Sequence, residues 1–311
     1  MERVTAQTEQ DKFDLPGGIN GKLMRSATYA SVTVAIILIC IKLVAYFSTN
    51  SVAVLSTLID SILDMLASVI NLIAVRHALV PADRDHRFGH GKAEALAGLF
   101  QSAVILGSGV FLVFQASERL VNPKPLHSTD IGIAVMVVSI LLTLLLVAYQ
   151  RYVIRKTKSV AISADSLHYI GDVLINGSVI IALVLSSTFN WKYADGLFAV
   201  GIALFLLTSS WKIIKISLAH LMDEELGDEE RQRIKEIVGE QPGVLGIHDL
   251  RTRRSGQQVF IQMHLDMDGA ISLHDAHVIS DAVESRLMEE FPEAEAIVHQ
   301  DPISVQPNES A

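Results

Sequence analysis

A chain of 311 residues that is 50% hydrophobic, with a positive mean hydropathy, is too apolar for an ordinary soluble domain and reads as a membrane protein. Its formal charge of -9 is unevenly spread, because residues 218–311 hold 20 acidic and 7 basic groups while the part before them is net positive. An acidic tail excludes nucleic acid and favours cations, and the single cysteine, Cys40, excludes an internal disulfide or a cysteine-cluster metal site.

The first residues carry Glu2, Glu9, Asp11 and Asp14 without an apolar run, so residues 1–26 read as a cytoplasmic leader and not a signal peptide. Six apolar stretches follow, near 27–47, 51–77, 94–118, 130–150, 159–187 and 194–216. Each is long enough for the about 20 helical residues that cross a bilayer, and together they predict a six-helix transmembrane transport domain over 27–217. The short Ser48-Thr49-Asn50-Ser51 link predicts a tight hairpin between the first two helices.

Orientation follows from the basic residues. Arg3, Lys12, Lys22 and Arg25, then Arg76, Arg84, Arg87 and Lys92, then Arg151, Arg155, Lys156 and Lys158 all fall on one side, against Arg119, Lys124 and Lys192 on the other. Both termini are therefore expected in the cytoplasm, with the chain lodged in the lipid of the cell inner (plasma) membrane.

The tail alternates in a soluble pattern. Asp228 to Glu240 reads as an amphipathic helix ended by Pro242-Gly243, Val244 to Arg254 as a strand, and Val259 to Met267, apolar at every second residue, as the clearest strand of all. Leu273 to Phe291 reads as a helix and Glu295 to Val305 as a last strand. The αββαβ order predicts a small α+β, metallochaperone-like domain over 218–305, with helices on one sheet face and a flexible C-terminus at 306–311.

Ionisable groups deep in apolar helices are costly and mark pathways. Asp60 and Asp64 lie four apart in the second span, and His168 and Asp172 four apart in the fifth, so each helix presents two ligands on one face. Three carboxylates and an imidazole in a dry bundle need protons or a cation to neutralise them. Four oxygen and nitrogen ligands suit zinc, with iron(II) or cadmium as relatives. Lys42 could be a counter-charge to these carboxylates but is expected to snorkel toward the interface, Asn71 and Asn176 are expected to hydrogen-bond between helices, and Asp165 is a candidate ligand on the way in.

A second candidate site is the loop group Asp83, His86 and His90. A third comprises His248, His264, His277, His299 and Asp301 in the tail, where His264 and Asp266 share the polar face of a strand. His77, His127 and His220 carry no ligand expectation, and His274 stays open.

The runs Asp60-Ser-Ile-Leu-Asp64, Pro81-Ala-Asp83 through His86, Phe88-Gly-His90-Gly-Lys92, Leu167-His168 with Asp172, His248-Asp-Leu-Arg251 and His299-Gln-Asp301-Pro302 together resemble the cation diffusion facilitators, and among them the bacterial zinc and iron exporters. The resemblance spans about residues 20 to 305. It implies a homodimeric, proton-coupled exporter and not an enzyme. It puts Asp60, Asp64, His168 and Asp172 on the transport site, Asp83, His86 and His90 on a loop site, and the five tail residues on a binuclear site bridged by Asp301. It also implies an ion pair, Lys92 with Asp223, at the membrane–tail hinge.

The expected activity is antiport of divalent metal, zinc first, against H+. Metal binds only deprotonated ligands, so protons compete with it. The alternatives are a passive cation channel, which would line its pore similarly, and a membrane metalloenzyme, for which no His-Glu-x-x-His helix is present.

Overall fold

The computed structural model describes residues 18–50, 52–122, 130–189, 191 and 193–303. The expected leader through residue 17, Lys124, His127, Lys192 and the end of the tail from residue 304 lie outside the described residues. The chain divides into two compact units at residues 218 and 219.

The first unit is six helices, each long and apolar enough to cross a membrane: α1 (Gly18–Thr49), α2 (Val52–Ala78), α3 (Lys92–Val121), α4 (Asp130–Thr157), α5 (Val160–Phe189) and α6 (Ala194–Leu221). Several exceed the expected spans. α1 begins nine residues before the hydropathy signal, and α4 carries Arg151, Arg155 and Lys156 in its last turns. Packing explains the extension: Met24, Ala27, Val75, Leu79, Ala97, Val153, Ala161 and Ile162 form one buried cluster that joins the first five helices. Hydropathy reports where lipid begins, whereas the helices end where their contacts do.

Large apolar residues such as Phe47, Ile73, Phe111, Phe114 and Leu145 are exposed on the outside of this unit, as a lipid-facing surface requires. Its interior is lined instead by small residues, among them Ala35, Gly98, Ser102, Gly109, Ala164, Gly171, Ala203 and Ser210. Helices in lipid gain from close backbone approach and not from excluding water, and small side chains permit it. A Cβ on Gly98 would lie 2.8 Å from Val160 Cγ1 and 3.0 Å from Ser217 Oγ, so α3 meets α5 and α6 there.

Short links fix neighbours. Asn50 takes a left-handed φ of 49° and its N–H donates to Tyr46 O at 2.7 Å, ending α1 as such residues commonly do. Lys158 does the same for α4, with φ 52° and a 2.8 Å bond to Ile154 O. The start of α5 is held by Ser159 Oγ, which accepts from Ile162 N at 3.2 Å, and by Glu94 Oε1 on α3, which accepts from Val160 N at 2.9 Å. Arg119 on α3 and Asp195 on α6 form an ion pair.

The second unit contains α7 (Asp228–Gly239), β1 (Gly246–Ser255), β2 (Gln258–Asp268), α8 (Leu273–Glu290) and β3 (Ala294–Ile303), the αββαβ order read from the sequence. Its sheet order is β1-β2-β3, with β1 antiparallel and β3 parallel to β2. The apolar side of β2, Val259, Ile261, Met263, Leu265 and Met267, is buried with Ile234, Ile237 and Val238 of α7 and Val283 and Leu287 of α8. The other face of β2 is thereby left to Gln262, His264 and Asp266. Ser272 caps α8, its Oγ accepting from Asp275 N at 3.1 Å.

Candidate metal sites

The pairs on α2 and α5 meet inside the helical unit. His168 Nε2 lies 2.9 Å from Asp64 Oδ1 and 3.8 Å from Asp172 Oδ2, and Asp64, His168 and Asp172 can each offer one ligand atom within 4.8 Å of the others. Asp60 is not in that group and is exposed. A spacing of four advances about 400° around a helix, so Asp60 and Asp64 are neighbours whose side chains point some 40° apart.

Lys42 does not snorkel. Its Nζ donates to Thr57 O at 3.0 Å and to Ser61 Oγ at 2.6 Å, on α2 beside the two aspartates, and its charge acts on Asp64, Asp172 and Asp60. Two close acceptors inside the unit outweigh the distance a lysine stem would have to reach for water. The asparagines also depart from expectation. Asn176 Nδ2 donates within its own helix to Asp172 O at 2.8 Å, and the buried Asn71 amide has no partner among the described residues. Asp165 stands outside the metal group, its Oδ2 held by Ser31 Oγ at 2.6 Å and Gln150 Nε2 at 2.8 Å.

The loop between α2 and α3 brings together all three of its expected residues. Asp83 Oδ1 lies 3.3 Å from His86 Nδ1, and Asp83 Oδ2 lies 3.4 Å from His90 Nε2. Asp83 shapes the turn as well, accepting from the N–H groups of His86 at 2.7 Å and Asp85 at 2.9 Å. The His86 N–H bond, with that from Asp85 and the neighbouring imidazoles, holds the Asp83 carboxyl below the usual range. Gly89, at φ 73°, turns the chain so that His90 reaches back. His90 is buried, with Nδ1 3.4 Å from Val80 O and its ring 4.5 Å from that of His77. A proton on Nδ1 leaves Nε2 as the free lone pair, facing Asp83.

In the tail, strand register creates the cluster. His248 on β1 pairs with His264 on β2, which pairs with His299 on β3, and Asp301 sits opposite Asp266. Three imidazoles thus stand in one row across the sheet. Asp301 Oδ2 lies 2.8 Å from His264 Nδ1 and 3.1 Å from His248 Nε2, while its Oδ1 lies 3.1 Å from His299 Nε2. The Asp301 carboxylate thus touches all three imidazoles, one oxygen on His264 and His248 and the other on His299. The His264 hydrogen bond, then the charges of His299, His264 and His248, hold the Asp301 carboxyl below its usual range.

His277 stays out of this row. It is exposed on α8 and lies 3.5 Å from Asp281 one turn along. Two carboxylates absent from the expected set join instead: Asp266, 3.3 Å from His248 Nδ1, and Asp249, 3.8 Å from His264 Nε2. Asp266 was signalled by its position two residues from His264. Asp249 was not, because it depends on a break in the β1 register between His248 and Arg251 and on its own left-handed φ of 48°.

Six membrane-length helices with a carboxylate–imidazole group inside them, followed by a small α+β domain, have the makeup of a membrane transporter of metal cations. The sequence matches the family profile "Cation efflux transmembrane domain" over residues 28–222 and "Cation efflux protein, cytoplasmic domain" over 226–303, so the chain belongs to the cation efflux family, as the motif resemblance implied. It is 50% identical to the "Cation-efflux pump FieF" of Shewanella oneidensis, across 91% of this chain and 96% of that one. It is 48% identical to the protein so named in Serratia proteamaculans, across 92% and 95%. A solved "Metal-bound C-terminal domain of CzcD transporter from Thermotoga maritima" is 26% identical, covering 25% of this chain and 94% of that one, with a TM-score of 0.23.

Proposed function

We propose that this protein exports divalent metal ions from the cytoplasm in exchange for protons, with zinc as the principal substrate and iron(II) and cadmium as further ones. The observation that carries this reading is the convergence of Asp64, His168 and Asp172 from two helices at membrane depth. Oxygen and nitrogen ligands in a tetrahedral number suit zinc, and Asp60, one turn along α2, is the fourth ligand once its side chain swings in. Metal entering must displace protons from these groups and protons returning must displace metal. Exchange, and not mere leakage, follows if one side is open at a time.

In this reading Asp83, His86 and His90 form an accessory site on the cytoplasmic side. His248, His264, His299 and Asp301 hold two ions in the tail, with His277 brought in by rearrangement. The protein works as a homodimer in the inner membrane with both termini cytoplasmic. Basic residues concentrated at the α2–α3 and α4–α5 links support that orientation.

Reconstituted full-length protein in liposomes tests the reading. An imposed pH gradient is expected to drive zinc uphill, and Asp172→Ala to abolish the flux with the fold intact. Zinc that only equilibrates down its own gradient would identify a channel, and wild-type flux through Asp172→Ala would displace the site.

A further inference from the structure

Asp165 and Gln150 are both almost fully enclosed in the helical unit, at 1% and 0% exposure. Their hydrogen atoms can be counted. Asp165 Oδ2 accepts from Ser31 Oγ at 2.6 Å and from Gln150 Nε2 at 2.8 Å, and the second Nε2 hydrogen reaches Ser31 Oγ at 3.0 Å. That leaves Asp165 Oδ1 and Gln150 Oε1, both fully buried and both without a partner among the described residues. Both are acceptors, so neither can satisfy the other. Exchanging the amide oxygen and nitrogen sets an amide oxygen against Asp165 Oδ2, two acceptors 2.8 Å apart, so the shortage of hydrogens persists. The pair is one hydrogen short.

We propose that Asp165 carries a proton in this conformation, as a carboxylic acid paired with the Gln150 amide, and so forms a proton site separate from the metal-binding group. An acid and a primary amide side by side make a cyclic pair, in which the amide N–H donates to one carboxyl oxygen and the acid O–H donates to the amide oxygen. One proton on Oδ1 converts two buried orphan acceptors into one hydrogen bond, and no other atom need be added.

The groups around the acid define its setting. α1 and α4 face it with Ser31 and Gln150, neither of which titrates. The ionisable groups that act on it are His168 and Tyr169 of its own helix and Asp64 of α2. Tyr169 extends the network, its OH 2.8 Å from Ser68 Oγ on α2 and 3.3 Å from Ser31 O. The neutral pair thus ties α1, α4 and α5 together less than one turn before His168. In the cyclic pair, loss of the proton leaves two acceptors facing each other and favours parting α4 from α5. This latch goes beyond the exchange reaction proposed above, and it can be tested without measuring transport.

The experiment uses the full-length protein in lipid nanodiscs at neutral pH, read by infrared spectroscopy and thermal unfolding. The wild type is expected to show a carboxylic-acid carbonyl band that Asp165→Asn lacks. Gln150→Met should shift that band, because the acid loses its amide partner. Asn reproduces the protonated acid, its N–H replacing the O–H, so Asp165→Asn should unfold near the wild-type temperature while Asp165→Ala unfolds lower. A spectrum unchanged by Asp165→Asn overturns the proposal, as does a band that Gln150→Met leaves in place. An Asp165→Asn protein as unstable as Asp165→Ala would show that the carboxylate charge was required, and would overturn it too.

Discussion

Lys42 places its ammonium group between Thr57 and Ser61 of α2, beside Asp60 and Asp64. A nearby cation opposes a bound divalent ion and eases its release. Lys42→Met is therefore expected to tighten zinc binding roughly tenfold, the equivalent of about 1.4 kcal/mol, and to slow turnover, as titration calorimetry and flux from the same preparation will show. Unchanged affinity would mean that the lysine only anchors α1 on α2. In the tail, the depressed Asp301 carboxyl gives a pH dependence with a definite sign. A carboxyl whose folded value lies below its unfolded one of about 3.9 adds stability above that value, and loses it as pH falls through the folded value. Asp301→Asn is expected to flatten this acid limb in pH-dependent unfolding. The sequence disclosed His168 and Asp172 because a spacing of four on an apolar helix has few other uses. It hid the inward turn of Lys42, which depends on where a neighbouring helix offers a hydroxyl.

At the scale of elements, the close approach of α3 to α5 depends on Gly98. A methyl group there would press on Val160 Cγ1 at 2.8 Å and come within 3.4 Å of the Val160 backbone carbon. Overpacking of this kind costs about 1–3 kcal/mol, so Gly98→Ala should unfold at lower temperature in detergent. Gly177 on α5 is the matched control, because a Cβ there meets nothing within 4 Å, and Gly177→Ala should be neutral or stabilising. Equal effects of the two would reject Gly98 as a packing contact. Helix existence was legible because runs of apolar residues have no other stable form in lipid. Helix ends were not, since those of α1 and α4 are set by a buried cluster drawn from five helices. The β2 alternation was legible for the converse reason: a strand with one buried face must repeat every two residues.

For the molecule as a whole, charge is partitioned with function. Residues 218–311 hold 20 acidic and 7 basic groups, so two such tails side by side in the proposed dimer repel, within a screening length of about 8 Å at physiological salt. Zinc bound around Asp301, as proposed above, would reduce that repulsion. Spin labels on the two tails of the full-length protein are expected to approach when zinc is added, and Asp301→Ala to remove the response. Labels whose separation ignores zinc would leave the tail as a scaffold.

The irregular step in β1 has a second consequence. A sheet ordered β1-β2-β3 ends in two edges, and an edge with free N–H and C=O groups is a template for a foreign strand. On β1 the register breaks at Asp249, and the Thr252 N–H is already occupied, donating to Glu225 Oε2 at 2.9 Å. On β3, Pro302 offers no N–H. The kink that swings Asp249 toward His264 therefore also denies the tail a straight border along which copies could zip together. Straightening it with Asp249→Val is expected to produce aggregates during expression, visible by light scattering, while a soluble Asp249→Val protein would confine the kink to ligand placement.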